Sequence, residues 1–87
     1  MIQKKYKTID EMGLHARPAS LLVAEANKFQ SEINIVAKGK EVNMKSIMMV
    51  MTLGIVKNEE FTIKADGVDE EDALNALDKL IVSEKLA

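Results

Sequence analysis

The chain has no cysteine and no tryptophan, and only one proline, one histidine and one arginine among its 87 residues. Each scarcity excludes something. Without cysteine no disulfide framework can form, and a lone histidine cannot build a His-rich zinc site, so no metal and no cofactor is expected. The only aromatics, Tyr6, Phe29 and Phe61, supply no stacking platform for single-stranded nucleic acid. A formal net charge of −2 leaves no basic footprint for a nucleic-acid backbone. No apolar run approaches the roughly 18 residues of a membrane-spanning helix. The opening stretch, Met1 to Lys7, runs into polar sequence without the apolar core of a signal peptide. These absences predict a cytoplasmic protein that neither binds nucleic acid directly nor enters a membrane.

What is present describes one small globular domain over residues 1–87. Apolar residues make up 47% and charged residues 30%, the balance of a folded chain. A chain of this size buries only about 60–65% of its unfolded surface, so its core must be lean.

Hydrophobic periodicity orders the elements. Ile2 to Thr8 alternates weakly, with Lys4 interrupting the apolar side, and reads as the outer part of a strand. Ala19, Leu22, Val23, Ala26 and Phe29 share one helical face, predicting a helix from about residue 15 or 16 to Phe29. Pro18 fits only its first turn. Ile33, Ile35 and Ala37 return to period two, and Lys38-Gly39-Lys40 turns the chain into a second strand at Glu41-Val42-Asn43. Ser46 precedes the apolar run Ile47 to Leu53, which Gly54 closes, predicting a short capped helix. Phe61, Ile63 and Ala65 alternate with polar residues as a strand. Asp69 is expected to cap a last helix with Glu70, Glu71 and Asp72 in its first turn and Ala73, Leu74, Leu77, Leu80 and Ile81 as its buried stripe. The order β-α-β-β-α-β-α predicts an α+β protein, one sheet with its helices on one face and its other face wet.

The single His, Arg and Pro all fall between positions 15 and 18, within Gly13-Leu14-His15-Ala16-Arg17-Pro18-Ala19. At a helix start the backbone N–H groups of Ala16 and Arg17 lack intrahelical acceptors, and the dipole adds positive potential. Arg17 brings a permanent charge with a planar fork suited to phosphate oxygens. Such a place favours an anion beside His15, whose neutral imidazole is a nucleophile. Plainer readings stand beside this one. His15 is also a simple surface residue, Gly13 a turn, Arg17 a solvated charge and Ser46 an N-cap.

That segment resembles the phosphohistidine motif of HPr, the histidine-containing phosphocarrier family of the bacterial sugar phosphotransferase system. Val42-Asn43-Met44-Lys45-Ser46-Ile47-Met48 and Met51-Thr52-Leu53-Gly54 match the same family at the right separation, and the likeness covers about residues 1–85. It implies an open-faced β-sandwich, a four-stranded antiparallel sheet with three helices on one side. It implies a carrier, not an enzyme, that takes a phosphoryl group from phosphorylated enzyme I on Nδ1 of His15, with Arg17 paired to the group, and passes it to the IIA domains of sugar permeases; the helix-start amides beside His15, that of Ala16 among them, are placed to hold the same group. In the Gram-positive branch it further implies phosphorylation of Ser46 by HPr kinase/phosphorylase and action with the catabolite control protein. A monomer is expected.

Four of the six methionines, Met44, Met48, Met49 and Met51, crowd into eight positions. Val50 and Leu53 are the better core candidates of that short helix. Ile47, Met48 and Met51 then form an exposed patch, which the resemblance assigns to partner docking. Met49 stands where HPr proteins usually carry Gly and enlarges the patch. The alternative is a methionine-lined core. Two other functional readings remain: a purely regulatory binding module, and the nitrogen-related branch of the family. His15 stands where the catabolite-repression paralogue has Gln, and Lys45-Ser46-Ile47-Met48 resembles the sugar branch.

Overall fold

In the structure, a computed structural model describing residues 1–87, the elements run β1 (Ile2–Lys7), α1 (Ala16–Ala26), β2 (Glu32–Ala37), β3 (Lys40–Asn43), α2 (Ile47–Met51), β4 (Glu60–Asp66) and α3 (Glu70–Ser83). The strands pair antiparallel in the order β1-β4-β2-β3. Strict alternation puts Ile33, Ile35, Ala37, Val42, Phe61, Ile63 and Ala65 on one face, where they are buried with Ala19, Leu22 and Ala26 of α1 and Ala73, Leu77 and Ile81 of α3. The opposite face is wet. There Glu41 accepts hydrogen bonds from Asn34 at 2.8 Å and Lys64 at 3.0 Å. The α+β sandwich open on one side is the predicted architecture.

β1 lies at the sheet edge, and Lys4 has a purpose there. Its ammonium bonds Asp78 of α3 at 2.8 Å, and the Tyr6 hydroxyl donates to the same carboxylate at 2.7 Å. The Lys4 and Tyr6 hydrogen bonds hold the Asp78 carboxyl below its ordinary range. Burial, then the bond to Asp78, pushes the Tyr6 phenol up. The Tyr6 ring stacks on Phe61 with centroids 5.4 Å apart.

Three expectations are corrected. α1 ends at Ala26, not near Phe29. The Asn27 side-chain amide donates to Val23 O at 2.9 Å and to Lys45 O at 3.1 Å. The amides of Lys28 and Phe29 tighten onto carbonyls three residues back. Phe29 therefore packs against the core from a turn, half-buried. α2 stops at Met51, two residues short of Leu53, because Leu53 and Gly54 also bond three residues back. Val50 and Leu53 are buried, as their spacing predicted.

The third correction concerns Asp69. It precedes α3, but its side chain does not cap that helix. Its carboxylate instead accepts from the Gln30 and Ser31 amides, each at 2.9 Å, and from the Ser31 hydroxyl. Ser31 is buried, so its donors require a partner inside the protein. Glu70 reaches back to the Gly67 amide at 3.2 Å. The Ser31 hydroxyl, followed by the Gln30 amide, holds the Asp69 carboxyl below its ordinary value of 3.8. Its contribution to stability is complete above that value and is lost as pH falls through the lowered folded one. Asp69→Asn is therefore expected to flatten the acid limb of the stability curve. Urea midpoints measured from neutral to acid pH should fall less in the variant than in wild type.

Candidate functional site

The approach to α1 is clamped before the helix begins. Asp10 accepts from the Met12 amide at 2.9 Å through its carboxylate, and from the Gly13 amide at 2.9 Å through its carbonyl. This turn delivers Gly13 at φ +65°. Leu14, buried, then donates its amide to Ile55 O at 3.0 Å. The 55–59 loop is itself pinned. Thr8 exchanges backbone bonds with Asn58 and Glu59, and its buried hydroxyl donates to Val56 O. Lys38, at the tip of the β2–β3 hairpin, donates to Gly54 O at 2.9 Å.

From this base the chain enters α1 at His15, the N-cap residue, with extended backbone angles of φ −82° and ψ −174°. Its carbonyl accepts the Ala19 amide at 3.0 Å. Its imidazole makes no capping bond. The N–H groups of Ala16 and Arg17 have no acceptor in the protein, and Pro18, buried, has none to offer. The expected group of residues thus comes together at a helix start with two free amides and the positive dipole end. His15 is about one-third exposed, with a side-chain accessibility of 31%. It stands on open surface. The only cavity of the protein lies at the other end of α3, lined by Gly67, Val68, Asp69, Glu70, Glu71 and Asp72.

Arg17 departs from expectation. Its guanidinium is not turned to a place beside His15 but bonds Glu84 at 2.9 Å. Glu84 ends α3, where Lys85 takes a left-handed conformation at φ +57°. The Lys85 amide returns to Val82 O and the Leu86 amide to Ile81 O, a Schellman closure. Leu86 is buried, and its carbonyl accepts the Ile9 amide at 2.9 Å. The end of α3 is thereby tied to the loop that leads into His15. Glu84 was invisible to sequence reasoning, because 67 residues separate it from Arg17.

Asp10 was also missed. One carboxylate oxygen lies 3.9 Å from His15 Nε2. A signal did exist: an Asp two residues ahead of Met12 and three ahead of Gly13 has the spacing of an Asx turn.

Ser46 caps α2 as expected, its hydroxyl accepting the Met49 amide at 3.3 Å. Ser46→Ala should cost about 1 kcal/mol of stability, measurable as a lower urea midpoint at unchanged slope. The Asn27 bond to Lys45 O places Ser46 beside the far end of α1. The Leu14 bond to Ile55 O places the chain after α2 beside the near end. α2 therefore runs back along α1, whose 11 residues span about 15 Å, from Ser46 toward His15. Between them Ile47, Met48, Met49 and Met51 are exposed, Met48 most of all at 78%. Met44 is fully buried and belongs to the core. Met12 and Val56, in the loops on either side of the Leu14 bond to Ile55, are exposed as well. Sequence reasoning missed these two because isolated apolar residues in loops carry no periodicity.

Residues 2–83 match the family model described as the PTS HPr component phosphorylation site. Among solved structures the chain is similar to the histidine-containing phosphocarrier protein of Mycoplasma, at 44% identity and a TM-score of 0.95, covering 98% of this chain and 97% of that one. It is similar to the phosphocarrier protein HPr of Bacillus anthracis at 46% identity and a TM-score of 0.83, covering 91% and 94%. It also resembles Crh of Bacillus subtilis, a catabolite-repression protein described as a swapped dimer, at 42% identity and a TM-score of 0.74 over 100% of both chains.

Proposed function

The chain belongs to the PTS-HPr family of phosphocarriers, and from that premise we propose that it accepts a phosphoryl group on His15 from phosphorylated enzyme I and passes it to sugar-specific IIA domains. The observation that carries this reading is the imidazole at the start of α1, beside two free amides and on open surface. An open site suits a group handed between macromolecules.

In the transfer, the Nδ1 lone pair forms a bond to phosphorus. The bond from phosphorus to the donor breaks, and its electron pair leaves with the donor. The phosphoryl oxygens take hydrogen bonds from the Ala16 and Arg17 amides at the positive end of α1. Arg17 exchanges Glu84 for the phosphoryl group. An exposed ion pair is worth about 0–1 kcal/mol, and charge-assisted, forked bonds to phosphate are stronger, so the exchange runs toward the phosphorylated form. Transfer to a IIA domain reverses each step. The protein works as a carrier without turnover of its own, as a single 1–87 domain and a monomer in the cytoplasm. Closure of the 21-residue core within one chain supports the single domain, and no helix is long and apolar enough to cross a membrane.

The second part of the proposal is regulation. HPr kinase/phosphorylase phosphorylates Ser46, and the product acts with the catabolite control protein. The cap bond at 3.3 Å is long, and the Ser46 side chain is reachable. A phosphate there adds about −1.5 to −2 charge at the edge of the Ile47, Met48, Met49 and Met51 patch, where enzyme I, IIA domains and the regulators would compete. Methionine's flexible side chain suits a face shared among partners.

Incubation with enzyme I and phosphoenolpyruvate tests the carrier reading. One phosphoryl group, stable in base and lost in acid, is expected by mass spectrometry. No acid-labile phosphate with a competent enzyme I leaves only the regulatory module.

A further inference from the structure

We propose that Asp10 is a positioning residue for the phosphoryl acceptor: its carboxylate holds the proton of His15 on Nε2, leaving the Nδ1 lone pair free for phosphorus. This rests on the reading of His15 as the acceptor.

The carboxylate is built into the loop. Asp10 Oδ1 accepts the Met12 amide at 2.9 Å, so its direction is set by the backbone turn that ends at Gly13. The same oxygen lies 3.9 Å from His15 Nε2, an ion-pair separation longer than a direct hydrogen bond. His15 is the only charged or chargeable group with which Asp10 pairs, because the nearby cations have other partners. Lys57 bonds Glu11 at 2.7 Å and Arg17 bonds Glu84 at 2.9 Å.

A neutral imidazole carries one proton, and the partner of one nitrogen decides which nitrogen holds it. Negative charge beside Nε2 favours the Nε2–H tautomer. Once phosphorus bonds to Nδ1, the ring carries positive charge shared with Nε2–H, and the same carboxylate opposes it. Asp10 therefore acts on both states. It selects the nucleophilic nitrogen before transfer and stabilises the phosphorylated ring after it.

Asp10→Asn keeps an oxygen for the Met12 amide and removes the charge, and Asp10→Ala removes both. The unphosphorylated proteins, with nitrogen-15 in the imidazole, are compared by long-range proton–nitrogen NMR at a pH where the imidazole is neutral. Wild type should show Nε2–H almost alone, and Asp10→Asn a several-fold larger Nδ1–H population at an unchanged melting temperature. With enzyme I and phosphoenolpyruvate limiting, the ratio of phosphorylated to free Asp10→Asn should fall about two- to fivefold, the size of an exposed charge pair. Unchanged tautomer populations in both variants overturn the proposal, whether or not His15 accepts phosphate. An acceptor that is never phosphorylated in wild type instead overturns the carrier reading, and the tautomer comparison still decides the role of Asp10.

Discussion

His15→Ala is expected to abolish acid-labile phosphorylation by enzyme I and phosphoenolpyruvate while the protein stays folded. The two effects separate because His15 contributes little to stability through its side chain. The imidazole makes no capping bond, and the bond that opens α1 comes from its backbone carbonyl, which alanine also has. Substitutions away from packed or bonded features stay within about 0.5 kcal/mol. The loss of function is all or none, since the chain contains no other histidine. Phosphate incorporation and thermal melting, measured on one preparation, check both halves. Acid-labile phosphate persisting in the variant would remove His15 from the acceptor role.

Gly13→Ala should have the largest effect on stability. At φ +65° a side chain is already disfavoured, and a Cβ there would sit well inside contact distance of Ile55 O and 2.6 Å from the Val56 Cα. Those are backbone atoms of the pinned 55–59 loop and cannot swing aside. Left-handed strain of about 1–2 kcal/mol and overpacking of about 1–3 kcal/mol add to roughly 2–5 kcal/mol. Total stabilities are only about 5–15 kcal/mol. At about 4–8 °C per kcal/mol for a chain of this size, the melting temperature should fall by some 10 °C or more. Gly39→Ala is the control, because Gly39 has a similar φ of +76° with open space around it. It should lose only the strain. Equal losses in the two variants would show that the loop yields. A larger loss at Gly13 should also slow phosphoryl transfer, since the Leu14 bond to Ile55 sets the start of α1.

Much of the fold could be read in advance because the information is local. Alternation in Ile33-Asn34-Ile35 and Phe61-Thr62-Ile63 placed two central strands, and the 3.6-residue spacing of Ala73, Leu77 and Ile81 placed α3. The errors arose where a distant group overruled a local preference. Phe29 sits at a helical spacing, but the Asn27 side chain, shared with Lys45 O, ends the helix first. Asp69 has the right type and place for a cap, but the buried Ser31 claims its carboxylate. The motif from Gly13 to Pro18 was legible because one helix start holds all its members. Glu84 and Asp10 were not. Glu84 reaches Arg17 only through the end of α3, and the nearness of Asp10 to Nε2 depends on a turn that packing against Ile55 completes.

That closure at the end of α3 has a wider implication. Leu86 fills the core while its carbonyl fastens Ile9, and two residues earlier Glu84 parks Arg17. The proposed transfer centre therefore draws on residues 9–17 and 84–86 together, and its geometry is set only once the two segments have met. A molecule frayed at the end of α3 would offer a histidine without its parked arginine or the bond that fastens Ile9. On the proposed reading, competence is thereby coupled to the docking of the end of α3.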